Sequence, residues 1–256
     1  MDFVSLLTQE YTLNFLLLFV RFSALMVFLP IFNHMALPAQ YKAIIAFYLT
    51  IMFYANVPSI PVPSSYMSVV MMVLAEIAMG LLVGLVLQIV LAMVSYAGEQ
   101  ISFIMGFTMA SVIDPQTQMS TPLMSSFLSL IALMILLAIN AHHWMIEFMY
   151  LSVSQMQLGA FVPHASILNY LVAQMGLLFV VGLTIAFPIL ALSLLVDIIF
   201  GMLMKTMPQF NLLVIGFPIK IMVAFVVLMA VLASMMLIFS QEFQKAFNAL
   251  GKIIYS

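Results

Sequence analysis

The chain has 256 residues, 66% of them hydrophobic and only 5% charged, with a formal net charge of −2 and no cysteine. Soluble domains carry roughly 25% charged residues, so this chain cannot cover itself with a solvated surface and is expected to be an integral membrane protein. The same composition excludes disulfides, thiol catalysis and cysteine metal sites, and with no basic cluster it argues against nucleic acid as a partner. At ~20 residues per span, the length holds about five to seven membrane helices and their loops.

The acidic start Met1-Asp2-Phe3 has no basic n-region, so no cleaved signal peptide is expected. The first apolar run, about Tyr11 to Pro30, carries Arg21 in its middle. A charge at mid-membrane depth costs ~2.5–3.5 kcal/mol on insertion scales, so Arg21 is expected to face protein rather than lipid. His34, beside a turn, reads as structural. The second run, about Lys42 to Val57, ends in Pro58-Ser59-Ile60-Pro61-Val62-Pro63, and prolines this dense dictate an extended linker.

The third run, about Ser65 to Ala97, contains no proline. As one helix it would be ~48 Å long, more than a ~30 Å hydrocarbon core needs. Glu76, Gly80, Gly84 and Gln88 recur in it every fourth residue and form one small, polar face. Gly80-x-x-x-Gly84 matches the close-packing pattern of membrane helices, a pattern that also arises by chance. With Glu76 on the same stripe, this side is expected to face protein. Buried structural pairing of Glu76 is preferred to a proton-carrying role.

Between Tyr96 and Pro122 the chain turns polar and small, with Gly98, Glu99, Gly106, Asp114 and a Gln/Ser/Thr cluster, yet keeps Phe103, Met105, Phe107 and Met109. A plain loop would be polar throughout, and a spanning helix would not carry two carboxylates and a proline so close together. The segment is expected to be irregular backbone held inside protein or lining a cavity. It reads as a gating segment; fixed interface with no motion is the alternative.

Thr121-Pro122 reads as N-cap and first residue of the fourth run, Leu123 to Ile139. Asn140-Ala141-His142-His143-Trp144 interrupts it, and the pattern resumes to Leu158, with Gly159 a plausible C-cap. Adjacent histidines point about 100° apart on a helix and share a metal ion poorly, so His142 and His143 read as interfacial residues beside Trp144. The fifth run, about Ser166 to Met204, contains Pro188, which predicts a kink or a hairpin. Asp197, Gly201 and Lys205 follow at four-residue spacing; the two charges are too far apart to pair, so each is expected to meet another segment. After Met204 to Lys220 come a last apolar run, about Ile219 to Ser240, and an amphipathic tail with Glu242, Lys245 and Lys252. In a six-span arrangement Lys42 and Lys205 fall on one face of the membrane and Lys245 and Lys252 on the other, so the positive-inside rule gives no orientation. Some apolar segments are therefore expected to be buried in an oligomer.

No glycine-rich phosphate loop, H-E-x-x-H or G-x-S-x-G motif is present, and no enzyme activity is expected. The 25 methionines include Met105, Met109, Met119 and Met124 around the central segment. Flexible thioethers suit a seal that remoulds around different chains, although most serve as ordinary membrane core.

Several stretches together resemble the FliR family, the R subunit of type III secretion export gates. They are Ala97-Gly98-Glu99-Gln100-Ile101-Ser102, Met105-Gly106-Phe107, Asp114-Pro115-Gln116, Asn140-Ala141-His142, Pro208-Gln209-Phe210-Asn211 and Gly216-Phe217-Pro218-Ile219-Lys220. Order, spacing and length fit over essentially the whole chain; the homologous subunit of virulence-type systems shares the architecture. The resemblance implies an all-α, polytopic membrane protein of long kinked helical hairpins, with a FliP-like part over about 1–160 and a FliQ-like part over about 161–256. It implies a conical, helical hetero-oligomer with FliP and FliQ type subunits in the bacterial inner membrane, within the flagellar basal body. There it would form the pore for unfolded flagellar proteins, beside an export-switch subunit and without a cofactor. Energy would come from the proton-motive force and a partner ATPase. The family's plug loop falls by position on Gly106, Phe107, Thr108, Met109 and Ala110, with Asp114 and Pro115 ending it. Phe107 and Met109 would close the lumen by dewetting and contact, Gly106 would allow a tight bend, and Glu99 would cap or pair at the base. Arg21, Glu76, Gly80, Gly84, Glu99, Asp197, Lys205 and Lys220 are the expected buried polar and helix-packing positions.

Two rivals remain open at this point. An ion- or proton-coupled small-molecule transporter would use Glu76 and Asp197, but such proteins carry paired broken helices in matching halves, and no convincing repeat is found. A scaffold that never lines the pore is the other.

Overall fold

The computed structural model describes residues 9–32, 38–58, 60, 63, 65–107, 123–207 and 212–255. His34, most of the proline linker, Thr108, Met109, Ala110, Asp114, Pro115, Thr121, Pro122 and the Pro208–Asn211 motif lie outside the described residues. Among the described residues the chain is helical, with no strand. In order it forms α1 (Gln9–Phe28), α2 (Ala39–Phe53), α3 (Tyr66–Ile104), α4 (Leu123–Ala138), α5 (Ala141–Gln155), α6 (Ala165–Thr206) and α7 (Phe217–Tyr255). A short 3₁₀ turn, Tyr54–Asn56, ends α2, and a π-helical turn, Leu212–Gly216, leads into α7.

The apolar runs become helices because in lipid every backbone polar group must be satisfied within its own segment. At 1.5 Å per residue, the 39 residues of α3 span ~58 Å and the 42 of α6 ~63 Å, about twice a hydrocarbon core. α1, α3, α6 and α7 are each long and apolar enough to cross a membrane, and α4 with α5 passes only as a pair bent by 64°. The five to seven spans expected from length thus become four or five among the described residues. The second run is the main reason, since α2 has only 15 residues.

Two further expectations are corrected. α6 runs through Pro188 without a break, so that proline marks no hairpin; it removes one hydrogen bond from a long ladder and the rest hold. The fourth run is interrupted where the polar stretch was expected to interrupt it. It breaks at Asn140, which adopts left-handed backbone with φ of 58°, a conformation asparagine tolerates better than most residues. The α5 end also differs: the helix stops at Gln155 and Gly159, with φ of 75°, lies beyond it.

The chain folds as two compact units. One comprises the described residues of 1–88, 136–173 and 245–256. Its core is aliphatic and aromatic: Leu17, Leu18, Phe22, Leu25, Met79, Val83, Met145 and Met149 are buried. Phe22 meets Phe53 edge-on at 5.9 Å, Phe53 meets Tyr150 at 5.6 Å, and Trp144 meets Phe247 at 6.0 Å. The other unit comprises the described residues of 89–135 and 174–244. There Val90, Met93, Ala97, Ile101, Leu128, Ala132, Ile185 and Ile189 are buried, and Tyr96 meets Phe179 edge-on at 5.4 Å.

Candidate functional site

In the second unit, the structure brings together the two stems of the central segment. α3 ends at Ile104, and Gly106 follows with φ of 82°, left-handed backbone that glycine adopts without a Cβ penalty. The Gly106 N–H donates to the Phe103 carbonyl at 3.1 Å, closing a tight terminal turn. A Cβ on Gly106 would lie 2.9 Å from the Phe217 ring. Phe107 is half-buried and meets Phe225 edge-on at 6.4 Å. The first three turns of α7 therefore brace the end of α3.

On the return side, α4 lies tight against α3. The Met124 N–H, one of the donors that a helix start leaves without an intrahelical partner, donates to Ser102 Oγ at 3.2 Å. Ser125 Oγ donates to the Ser95 carbonyl at 2.9 Å, and the hydroxyls of Ser95 and Ser129 share a bond at 2.9 Å. Gly98 makes this approach possible, because a Cβ there would run into the Ser125 backbone, 2.7 Å from its nitrogen. The two described stems, α3 and the start of α4, are thus held side by side. These serines were missed at the level of sequence. The small residues Ser95, Gly98 and Ser102, three and four positions apart, are a signal of the same kind as Gly80-x-x-x-Gly84.

In the first unit, the four-residue stripe of α3 faces α1 along its whole length. A Cβ on Gly80 would lie 2.6 Å from Ala24 Cβ, and one on Gly84 would overlap the Phe28 backbone. Gln88 Nε2 donates to the Phe28 carbonyl at 2.9 Å, satisfying a last-turn acceptor of α1. At the other end of the stripe, Arg21 and Glu76 form a fully buried ion pair, both side chains at 0% exposure. Arg21 Nε donates to Glu76 Oε2 at 2.5 Å and Nη2 to Oε1 at 2.8 Å, the two-pronged geometry that guanidinium and carboxylate favour. The remaining guanidinium donors reach the carbonyls of Ser152 at 2.7 Å, Met156 at 3.2 Å and Gln157 at 3.3 Å. The Gly159 N–H donates to Glu76 Oε1 at 2.5 Å. One ion pair therefore ties α1, α3 and the C-terminal end of α5, where a cation also meets the negative end of the helix dipole.

Asp197 and Lys220 form a second ion pair, in the second unit, with Lys220 Nζ donating to Asp197 Oδ2 at 2.7 Å. The lysine side chain is 9% exposed and the carboxylate 45%. Glu99 on α3 and Lys205 on α6 are exposed, and so is the Asp197 carboxylate, which corrects the expectation that all three are buried. Each sits on a face that this chain does not cover. The His142 and His143 rings lie 4.2 Å apart, tilted by 44°, and among the described residues no group of three metal-ligating side chains is present. Chemically, the arrangement offers hydrogen-bonded stems, two ion pairs and close helix contacts.

Residues 12–246 match the family model for bacterial export proteins, family 1. The chain is similar to the flagellar biosynthetic protein FliR of Bacillus subtilis (strain 168), with 30% identity over 246 residues that cover 94% of each chain. It is 28% identical over 252 residues to the protein of the same name from Escherichia coli (strain K12), covering 96% of each. The Aquifex aeolicus (strain VF5) protein of that name is 23% identical over 256 residues, covering 97% of this chain and 96% of its own.

Proposed function

The chain belongs to the bacterial export proteins, family 1, and from that membership we propose that it is a structural pore subunit of the flagellar type III export gate. It assembles with FliP and FliQ type subunits in the bacterial inner membrane, within the flagellar basal body. Residues 1–160 form its FliP-like part and 161–256 its FliQ-like part. Together the subunits make the channel for unfolded flagellar proteins, next to an export-switch subunit. What carries this reading is similarity over nearly the whole chain to proteins named for flagellar biosynthesis. Four helices long and apolar enough for a membrane are in keeping with it.

The central segment is the plug in this proposal. Its support is local: the stems meet at Ser102 and Met124, Gly106 takes left-handed backbone, and Phe107 is held against Phe225. Gly106, Phe107, Thr108, Met109 and Ala110 would close the lumen, and Asp114-Pro115 would turn the chain back. A large apolar ring and a thioether at a narrow point exclude water, and with it ions. Arg21, Glu76, Gly80, Gly84, Asp197 and Lys220 hold the surrounding frame, while Glu99 and Lys205 remain for partners.

Removal of residues 108–114 tests the plug. Coexpressed with its partner subunits, the shortened chain is expected to let small ions leak across the inner membrane, read as a collapse of membrane potential. An assembled complex that stays as tight as the intact one would rule out this segment as the seal.

A further inference from the structure

The exposed surface changes character at the α4–α5 break. On α4 the exposed large side chains are Leu123, Phe127, Leu130, Met134 and Leu137. Beyond the break, the exposed positions through α5 are Asn140, His143, Glu147, Tyr150, Ser154 and Gln155, every one polar or amphipathic. The first five of these recur at steps of three and four residues and so lie along one side of the helix. The opposite side of α5 is buried through Met145, Phe148, Met149 and Val153. An amphipathic helix here directly continues an apolar one, and the pair passes as a span only when taken together.

Three physical arguments restrict what this strip faces. Lipid is excluded: a carboxylate, an imidazole and several hydroxyl and amide groups on one helix face are each unfavourable against hydrocarbon. Glu147 has no ion-pair partner among the described residues to offset this. A close-packed protein partner is disfavoured, because interface centres are poor in charge and depend on large apolar or aromatic anchors. Tyr150, 42% exposed, is the only large ring on the strip. Finally, Asn140 at the break is exposed with left-handed backbone, and polar backbone outside a helix ladder needs a hydrogen-bonding surrounding, which lipid does not supply. Water is the surrounding that satisfies all three.

We propose that this face of α5, Asn140, His143, Glu147, Tyr150 and Ser154, lines a water-filled path and is a contact strip for unfolded polypeptide in transit. An extended chain presents free amide donors and carbonyl acceptors along its length. The strip offers both kinds of group without a deep apolar pocket, so it makes weak, sequence-tolerant hydrogen bonds that let a chain move on. The polypeptide as occupant rests on the export-gate reading; the water-facing orientation does not.

The chain has no cysteine, so single cysteines report cleanly. His143→Cys, Glu147→Cys and Ser154→Cys would be compared with Leu130→Cys and Met134→Cys in membranes carrying the assembled complex. A charged, membrane-impermeant maleimide needs a hydrated thiolate. The three α5 positions are expected to be modified nearly completely and the two α4 positions to stay unmodified. The α5 positions are also expected to cross-link to a flagellar protein stalled during export. Failure of the α5 positions to label would overturn the water-facing orientation. Labelling without cross-links would overturn the role as a contact strip. Phe107→Cys in the same experiment separates the two readings. If it cross-links to the stalled chain while the strip does not, the pore reading stands and the strip falls. If no position cross-links, the pore reading falls with it.

Discussion

Arg21→Met is expected to destabilise the assembled protein by about 3–5 kcal/mol, the range for removing one partner of a buried ion pair. The loss has two parts. Glu76, at 0% exposure, keeps its carboxylate and retains only the Gly159 N–H of its described partners. The carbonyls of Ser152, Met156 and Gln157 lose the guanidinium at the same time, and those of Ser152 and Gln157 keep the backbone N–H groups of Met156 and Ala160. Glu76→Met is expected to be the milder change, because the guanidinium left behind still reaches those three carbonyls at the end of α5. The double variant Arg21→Met with Glu76→Met removes both charges and should lose less than the sum of the singles. Thermal denaturation of the purified complex measures all three. Equal stability of Arg21→Met and the parent chain would show that the pair holds nothing together.

Gly98→Leu is expected to have the second-largest effect. A Cβ at Gly98 meets backbone atoms of Met124 and Ser125 rather than the end of a flexible side chain, so nothing nearby can rotate away. α3 and α4 must separate, and the Ser125–Ser95, Ser95–Ser129 and Met124–Ser102 hydrogen bonds stretch or break together. Overpacking alone costs ~1–3 kcal/mol, and each lost hydrogen bond adds about 0.5–1.5 kcal/mol. The variant should assemble poorly, and Gly98→Ala should show a smaller loss in the same direction. Co-purification of partner subunits reads the effect, and parental yields for both variants would contradict the close approach of the stems.

Much of the frame is legible in the sequence because membrane helices obey few rules. Runs without proline became α3 and α7, and the Glu76-Gly80-Gly84-Gln88 spacing marks one side of a helix whatever it meets. The sequence does not say that the stripe meets α1, nor that Arg21 pairs with Glu76. Those residues are 55 positions apart, and much of the network around them consists of backbone carbonyls, which carry no residue signature. The Asn140 break was visible only as a polar interruption, because a left-handed residue and a helix that continues through a polar patch look alike in composition. Pro188 allowed either a kink or a hairpin, and the unbroken α6 removes only the hairpin, because a long ladder absorbs one missing donor. Glu99, Asp197 and Lys205 were expected among the buried polar positions and are exposed, although charge is unfavourable in lipid. Their exposure on this chain fits the same physics once the cover comes from another subunit.

Assembly is the most direct test of the central claim. Native mass spectrometry of this chain, coexpressed in detergent with the products of its neighbouring genes, is expected to find a discrete hetero-complex. That complex should hold one copy of this chain and several copies each of two other small membrane proteins. A stable monomer, or an oligomer of this chain alone, would contradict the export-gate role.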